Sequence, residues 1–284
     1  MSKLAFLGTG LIGGGLAEAA AKRGDQVTVW NRTRAKAEAL STHGAHVAGS
    51  PAEAVEGAER VHLALPDDAA IDAVLAACRG ALRGAVVVDH STASPAGTAA
   101  RAHTLREANV SYLHAPVFMS PAMTRSAGGL MLAAGPKSVF DRVEAGLKQM
   151  TGAVHYLGER PDLAAANKLF GNAMILAITA GFADVLAMAK SLGIAPGEAH
   201  ALFSKFNPVG TLSYRGAAMA KGDYRASFEL TMARKDARLM LEAAGSEKLS
   251  VLPAIAARMD SLLASGHAAD DLGVLAVDAV PPQG

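Results

Sequence analysis

The stretch Gly8-Thr9-Gly10-Leu11-Ile12-Gly13 constrains the fold of this chain more than any other. It follows an apolar run at residues 3–7 that reads as a strand, and it opens an alanine-rich segment at 11–23 that reads as a helix ended by Gly24. A second strand-like run at 26–31 completes a strand–helix–strand unit of about 30 residues. The three glycines serve different ends. The first permits a tight turn, the second lets the backbone approach a pyrophosphate, and the third lets helix pack on strand. The helix N-terminus then offers its N–H groups to the phosphates. Many glycine-rich turns share the bare pattern. The surrounding strands and helix turn it into an expectation of dinucleotide binding by Gly8, Thr9, Gly10, Leu11, Ile12 and Gly13.

The second strand ends in Asn31-Arg32-Thr33-Arg34. A site selective for NAD usually places a carboxylate here to accept hydrogen bonds from the ribose 2′-hydroxyl, and that carboxylate would repel a 2′-phosphate. A guanidinium beside amide and hydroxyl donors binds the phosphate instead, so Asn31, Arg32 and Thr33 predict NADP (NADPH) as the cofactor. Without that role, the same residues are a solvated basic helix start.

Up to residue 160, strand-like runs at 60–65, 85–89, 110–115, 130–134 and 154–157 alternate with alanine-rich helical stretches. Ser50-Pro51-Ala52-Glu53 and Ser94-Pro95 carry N-cap and first-turn proline signals. Such alternation predicts a mostly parallel sheet with helices on both faces. Strand signals then stop, and residues 163–192 are apolar nearly all round. As one helix they would run about 45 Å, a spine joining two domains or two subunits. Its most apolar part, 169–183, is shorter than the roughly 20 residues of a membrane span and reads as a buried helix. Further helical segments are expected near 196–206, 228–244 and 252–265. The predicted domains are 1–160 and an all-helical 161–284, with residues 281–284 frayed.

Charge and composition exclude several classes. The 27 basic and 26 acidic residues leave a formal charge of +1, so no basic field recruits nucleic acid or an anionic membrane surface. Cys78 is the single cysteine and no metal-ligand set stands out, which predicts no metal and a reducing, cytoplasmic setting. The N-terminal apolar run is too short for a signal peptide.

Lys168 and Asn172 are four apart at the start of the long helix and share one face. Two polar residues at that spacing are often just a wet stripe. Here they stand where the nucleotide domain ends, a place that favours ligand clefts, and an ammonium there can donate to a carbonyl oxygen.

Taken together, the chain resembles the β-hydroxyacid dehydrogenase family, the relatives of 3-hydroxyisobutyrate dehydrogenase, tartronate semialdehyde reductase and the glyoxylate/succinic semialdehyde reductases. The matching pieces are the glycine fingerprint, Leu65-Pro66-Asp67, Asp89-His90-Ser91-Thr92-Ala93-Ser94-Pro95, Ala115-Pro116-Val117, Asn167-Lys168 with Asn172, and Lys235-Asp236, in family order. The resemblance implies an α/β fold: an N-terminal Rossmann-type doubly wound sheet, then an all-helical domain entered through a long interdomain helix. It also implies reversible hydride transfer between NADPH and a small aldehyde or ketone, such as a semialdehyde or 2-oxo acid. Lys168 would be the catalytic lysine and Asn172 its substrate-binding partner. Leu65, Pro66 and Thr92 would line the nicotinamide half, and Lys235 would reach over the cofactor. A homodimer or homotetramer is implied as well.

The substrate segment departs from the family. Where relatives continue with Ser-Gly-Gly, this chain has Phe118, Met119 and Ser120, then Pro121-Ala122-Met123. The residues expected to meet substrate are therefore Phe118, Met119 and Ser120, in a greasier pocket, with Ser120 or Arg125 as candidate polar contacts. Gly171 departs too, where many relatives carry asparagine. Two alternatives stay open: an imine reductase on the same fold, and a non-catalytic NADP(H)-binding sensor.

Overall fold

The computed structural model describes residues 1–280. Residues 281–284, expected to fray, lie outside the described residues. The chain forms two compact units, one covering Met1–Asn172 and the other beginning at Ala173. The expected boundary at 160/161 stands one residue before the long helix Asp162–Ser191, and the units part within that helix.

Six parallel strands make the main sheet of the first unit: β1 (Lys3–Leu7), β2 (Gln26–Trp30), β3 (His46–Val47), β4 (Arg60–Leu63), β5 (Val86–Asp89) and β6 (Ser111–His114). Their spatial order is β3-β2-β1-β4-β5-β6. Both faces are covered, which is why the strands read as continuous apolar runs and not as alternating ones. Successive residues of β1 serve opposite cores. Leu4 and Phe6 pack with Val27, Val29, Val86 and Val88. Ala5 and Leu7 pack with Val61, Leu63, Val87 and Tyr112 on the other face. A second sheet pairs β7 (Val117–Phe118) antiparallel to β8 (Leu130–Ala133), with β9 (Ala153–Tyr156) parallel to β8. Strands β3 and β7, two residues each, are absent from the sequence expectation, because two residues carry no periodicity.

The cap signals work as the sequence implies. The Ser50 and Ser94 hydroxyls accept from the N–H groups of Glu53 and Gly97 at 3.1 and 3.0 Å.

In the second unit, helices Leu230–Ala244 and Leu252–Ala264 pack through Ala233, Ala237, Ala256, Met259 and Leu262. Among the described residues this unit is helical apart from one isolated bridge between Glu229 and Asp271. The long helix enters it through Asp184, whose carboxylate accepts from the backbone N–H groups of Ser250, Val251 and Leu252 at 2.5–3.0 Å. Burial alone would raise the Asp184 carboxyl; those donors outweigh it and hold the group below its ordinary value.

One expectation is corrected. The apolar stretch of the long helix is not buried within the chain: Phe170, Ile175 and Leu176 are 66, 55 and 70% exposed. By length and composition the helix is also sufficient to cross a membrane. The helix is buried at Ala164 and Ala165 in the first unit and at Asp184 and Ala189 in the second.

Candidate active site

The strand order places β1 beside β4, where the chain reverses its direction of travel across the sheet, and the crevice outside the carboxyl ends of such strands is where ligands bind in open α/β sheets. The fingerprint follows β1, Asn31-Arg32-Thr33 follows β2, Leu65-Pro66 follows β4 and Thr92 follows β5. All four expected cofactor segments of the first unit thus lie along one edge.

Within the fingerprint, Gly8 has φ +96°, and a Cβ there would sit 2.3 Å from the Ala64 carbonyl oxygen. A Cβ at Gly13 would lie 2.0 Å from the Gly8 carbonyl oxygen and 2.8 Å from Ala64 Cβ. Gly10 faces open space, with nothing within 4 Å of a Cβ. It caps the helix Leu11–Lys22 without any side-chain hydrogen bond, and no acidic residue stands in the first turn. The leading N–H groups are therefore left for an outside acceptor, and a pyrophosphate fits that opening. The buried Thr9 hydroxyl has no hydrogen-bond partner among the described residues. Leu11 is exposed and Ile12 packs against the core.

Asn31 is occupied by the fold. Its Oδ1 accepts from the Thr9 N–H and its Nδ2 donates to the Thr33 carbonyl, both at 3.0 Å. Arg32 is exposed, and Thr33 caps Arg34–Glu38 without using its hydroxyl. Arg34 pairs instead with Glu38 at 2.8 Å. A guanidinium and a hydroxyl are thus open to solvent at the end of β2.

The segment after β5 does more than the single role expected for Thr92, which is exposed. Ser91 Oγ accepts from the Leu65 N–H at 3.0 Å, and Asp89 accepts from the Ser91 N–H at 3.0 Å and the Tyr112 hydroxyl at 2.9 Å. The His90 ring donates from Nδ1 to the Ala115 carbonyl at 2.7 Å, so its Nε2 accepts from His62 Nδ1 at 2.9 Å. The ends of β4, β5 and β6 are tied together through this buried set. Burial pushes both rings toward the neutral form; for His62 the neighbouring His90 adds to it. Asp89, His90 and Ser91 hold that edge together; they stand in the sequence as part of a motif, with nothing there to assign them this part.

Lys168 lies half-buried on the first turns of the long helix, with its ammonium 3.9 Å from the centre of the Phe118 ring. Burial lowers its pKa from the ordinary lysine value. The same ring stands over Gly171, where a Cβ would meet its Cζ at 2.3 Å. Phe118 also packs with Leu132, Ala134 and Ala164. Asn172 is partly buried one turn on.

The other candidate polar groups are engaged. Ser120 Oγ accepts from the Met123 N–H at 3.3 Å as the cap of Pro121–Arg125. Arg125 donates to Glu18 Oε2 at 2.6 Å. Met119 is partly buried against the main core. Lys235 lies in the second unit, paired with Asp236 at 2.6 Å.

Residues 3–158 match the family described as the NAD binding domain of 6-phosphogluconate dehydrogenase. Glyoxylate/succinic semialdehyde reductase 2, chloroplastic, of Arabidopsis thaliana is 30% identical over 259 residues, covering 89% of this chain and 72% of that protein. The solved reductive aminase from Aspergillus terreus in complex with NADPH and ethyl levulinate has a TM-score of 0.89 at 25% identity, covering 99% of this chain and all of that one. An imine reductase from Myxococcus stipitatus in complex with NADP+ also has a TM-score of 0.89, at 23% identity and 97 and 99% coverage, and speaks for the fold. With more than half of its length matching that domain family and a 30% identical relative spanning most of the rest, the chain belongs to the β-hydroxyacid dehydrogenase family and is a pyridine-nucleotide oxidoreductase.

Proposed function

We propose that the protein reduces a small aldehyde or ketone with NADPH, with Lys168 as the proton donor and Asn172 orienting the substrate. The observation that carries this reading is a half-buried ammonium, its pKa lowered by burial, that has no carboxylate partner among the described residues. Such a group is free to hydrogen-bond a substrate oxygen and closer than an exposed lysine to giving up its proton near neutrality. The chemistry a bound nicotinamide would supply there is hydride for the carbonyl carbon. As charge develops on oxygen, Lys168 Nζ donates a proton to it, and Asn172 on the same helix face holds the reacting group.

Leu65, Pro66 and Thr92 would flank the nicotinamide, and Lys235 is the further cofactor contact that the family resemblance adds. The preference for NADPH rests on Arg32 and the unused Thr33 hydroxyl, with no carboxylate at the end of β2. A second copy of the chain, in a dimer or tetramer, would cover the apolar face of the long helix. We assign that face to protein and not to lipid because Asp184, on the same helix, is locked into the second unit. A cytoplasmic setting belongs to the same proposal: with Cys78 the single cysteine, no internal disulfide depends on oxidising surroundings.

Imine reduction is the second reading. The apolar segment around Phe118 and the likeness to a reductive aminase favour it, and the presence of Lys168 favours carbonyl chemistry. A panel of carbonyls and cyclic imines followed by NADPH and NADH oxidation, with Lys168→Ala beside the parent, tests the proposal. It fails if the variant keeps turnover within a few-fold of the parent.

A further inference from the structure

We infer that Phe118 and Gly171 form one selectivity element, in which the ring fills the space a side chain at 171 would take, lies on the Lys168 ammonium, and restricts the site to substrates with no carboxylate beside the reacting carbon. This deepens the proposed function and rests on it. Sequence treats the two positions as separate departures, 53 residues apart. In space they are one: the ring tip stands 2.3 Å from where a Gly171 Cβ would be, more than an ångström inside ordinary contact, so this placement of the aromatic requires the glycine.

The ring face presents negative π density to Lys168 Nζ at 3.9 Å and gives the ammonium a partner that accepts no proton. Against the ring face a carboxylate meets π density and loses water, and of the two other polar groups that could receive it Arg125 is drawn to Glu18 Oε2 while Ser120 Oγ caps the Pro121–Arg125 helix, keeping only its own O–H to donate. A neutral carbonyl oxygen or imine nitrogen meets no such penalty and needs only one Lys168 N–H. The substrate class is therefore an uncharged, mainly apolar aldehyde, ketone or imine.

Four probes test this: 2-pentanone, 2-oxopentanoate, 2-methyl-1-pyrroline and 1-pyrroline-2-carboxylate, each assayed for kcat/KM with NADPH. The parent should prefer the uncharged member of its active pair by about tenfold or more. Gly171→Asn should lose turnover or stability, because its side chain meets the ring. Phe118→Ser combined with Gly171→Asn should recover the lost stability, read as Tm, and move the preference toward the carboxylate probe by about tenfold, more than the two single variants predict together. Preference of the parent for the carboxylate probe overturns the inference. So does strict additivity of the two substitutions with an unchanged ratio. In either case, loss of turnover in Lys168→Ala leaves the functional reading standing. Turnover that survives Lys168→Ala, or no turnover on any probe, removes the functional reading itself.

Discussion

The nucleotide edge and the Lys168 cluster belong to the same unit and are built by opposite means. At the edge, backbone does the work: Gly8 and Gly13 admit no Cβ, Gly10 leaves an opening, and N–H groups face outward. At the Lys168 cluster, side chains do it: an aromatic ring, an ammonium, and a glycine that makes room for the ring. A backbone device is written in consecutive residues. A side-chain device is assembled from residues distant in sequence, and it can change its chemistry while the fold stays the same.

Substitutions separate the two regions. The largest effect is expected at Lys168, where Ala should lower kcat by about 10²–10⁴-fold while leaving NADPH affinity, read by fluorescence titration, within a few-fold of the parent. Equal loss of both would erase the distinction between the regions. The pH profile sharpens it. Burial places the lysine pKa below its ordinary value, so reduction, which needs the protonated form, should fall on an alkaline limb whose midpoint lies below 10.5. That limb should vanish from any residual activity of Lys168→Ala.

Next comes a contrast inside the fingerprint. Gly13→Ala forces a Cβ against the Gly8 carbonyl and should cost about 1–3 kcal/mol of stability in denaturant titration together with cofactor affinity. Gly10→Ala meets nothing in the protein, so its stability should stay within about 1 kcal/mol of the parent while cofactor affinity falls. A smaller effect follows at Arg32. Arg32→Ala should weaken NADPH about tenfold and leave NADH nearly unchanged, measured as the ratio of kcat/KM values. An unaltered ratio would return Arg32 to an ordinary solvated side chain.

The smallest effect is at Glu18, which joins the two regions. Hydrogen bonds from Lys22 and then Arg125 hold its carboxyl at about 2, below its unfolded value of 4.5. Its contribution is therefore fully present above the unfolded value and is lost as pH falls through about 2. Glu18→Gln should cost about 1 kcal/mol at pH 7, modest because both partners are largely exposed, and the difference from the parent should close in acid.

The same contrast explains what was legible in the sequence. The strands β1, β2, β4, β5 and β6 carry apolar runs because both faces are covered, and the fingerprint announces its turn by its glycines. Strands β3 and β7 are two residues long and exist through their pairing partners alone. The apolar helix reads as buried from composition, since sequence does not say whether the covering groups come from the same chain. Ser120 and Arg125 read as free polar groups; a cap and an ion pair occupy them, the latter formed across 107 positions of sequence. The Phe118–Gly171 fit was invisible for the same reason, although both positions stand out as departures from the family.

The third glycine of the run Gly13-Gly14-Gly15 bears on loop transplantation. A Cβ at Gly15 would lie 2.0 Å from Thr124 Oγ1, in the short helix that follows the substrate segment. With the Glu18–Arg125 pair beside it, this seats that segment on the helix of the dinucleotide fingerprint. Residues 118–125 are thus not a detachable cassette. A relative's segment grafted here would arrive without its counterpart on the fingerprint helix, and a successful exchange of specificity would have to carry positions 15 and 18 along with it.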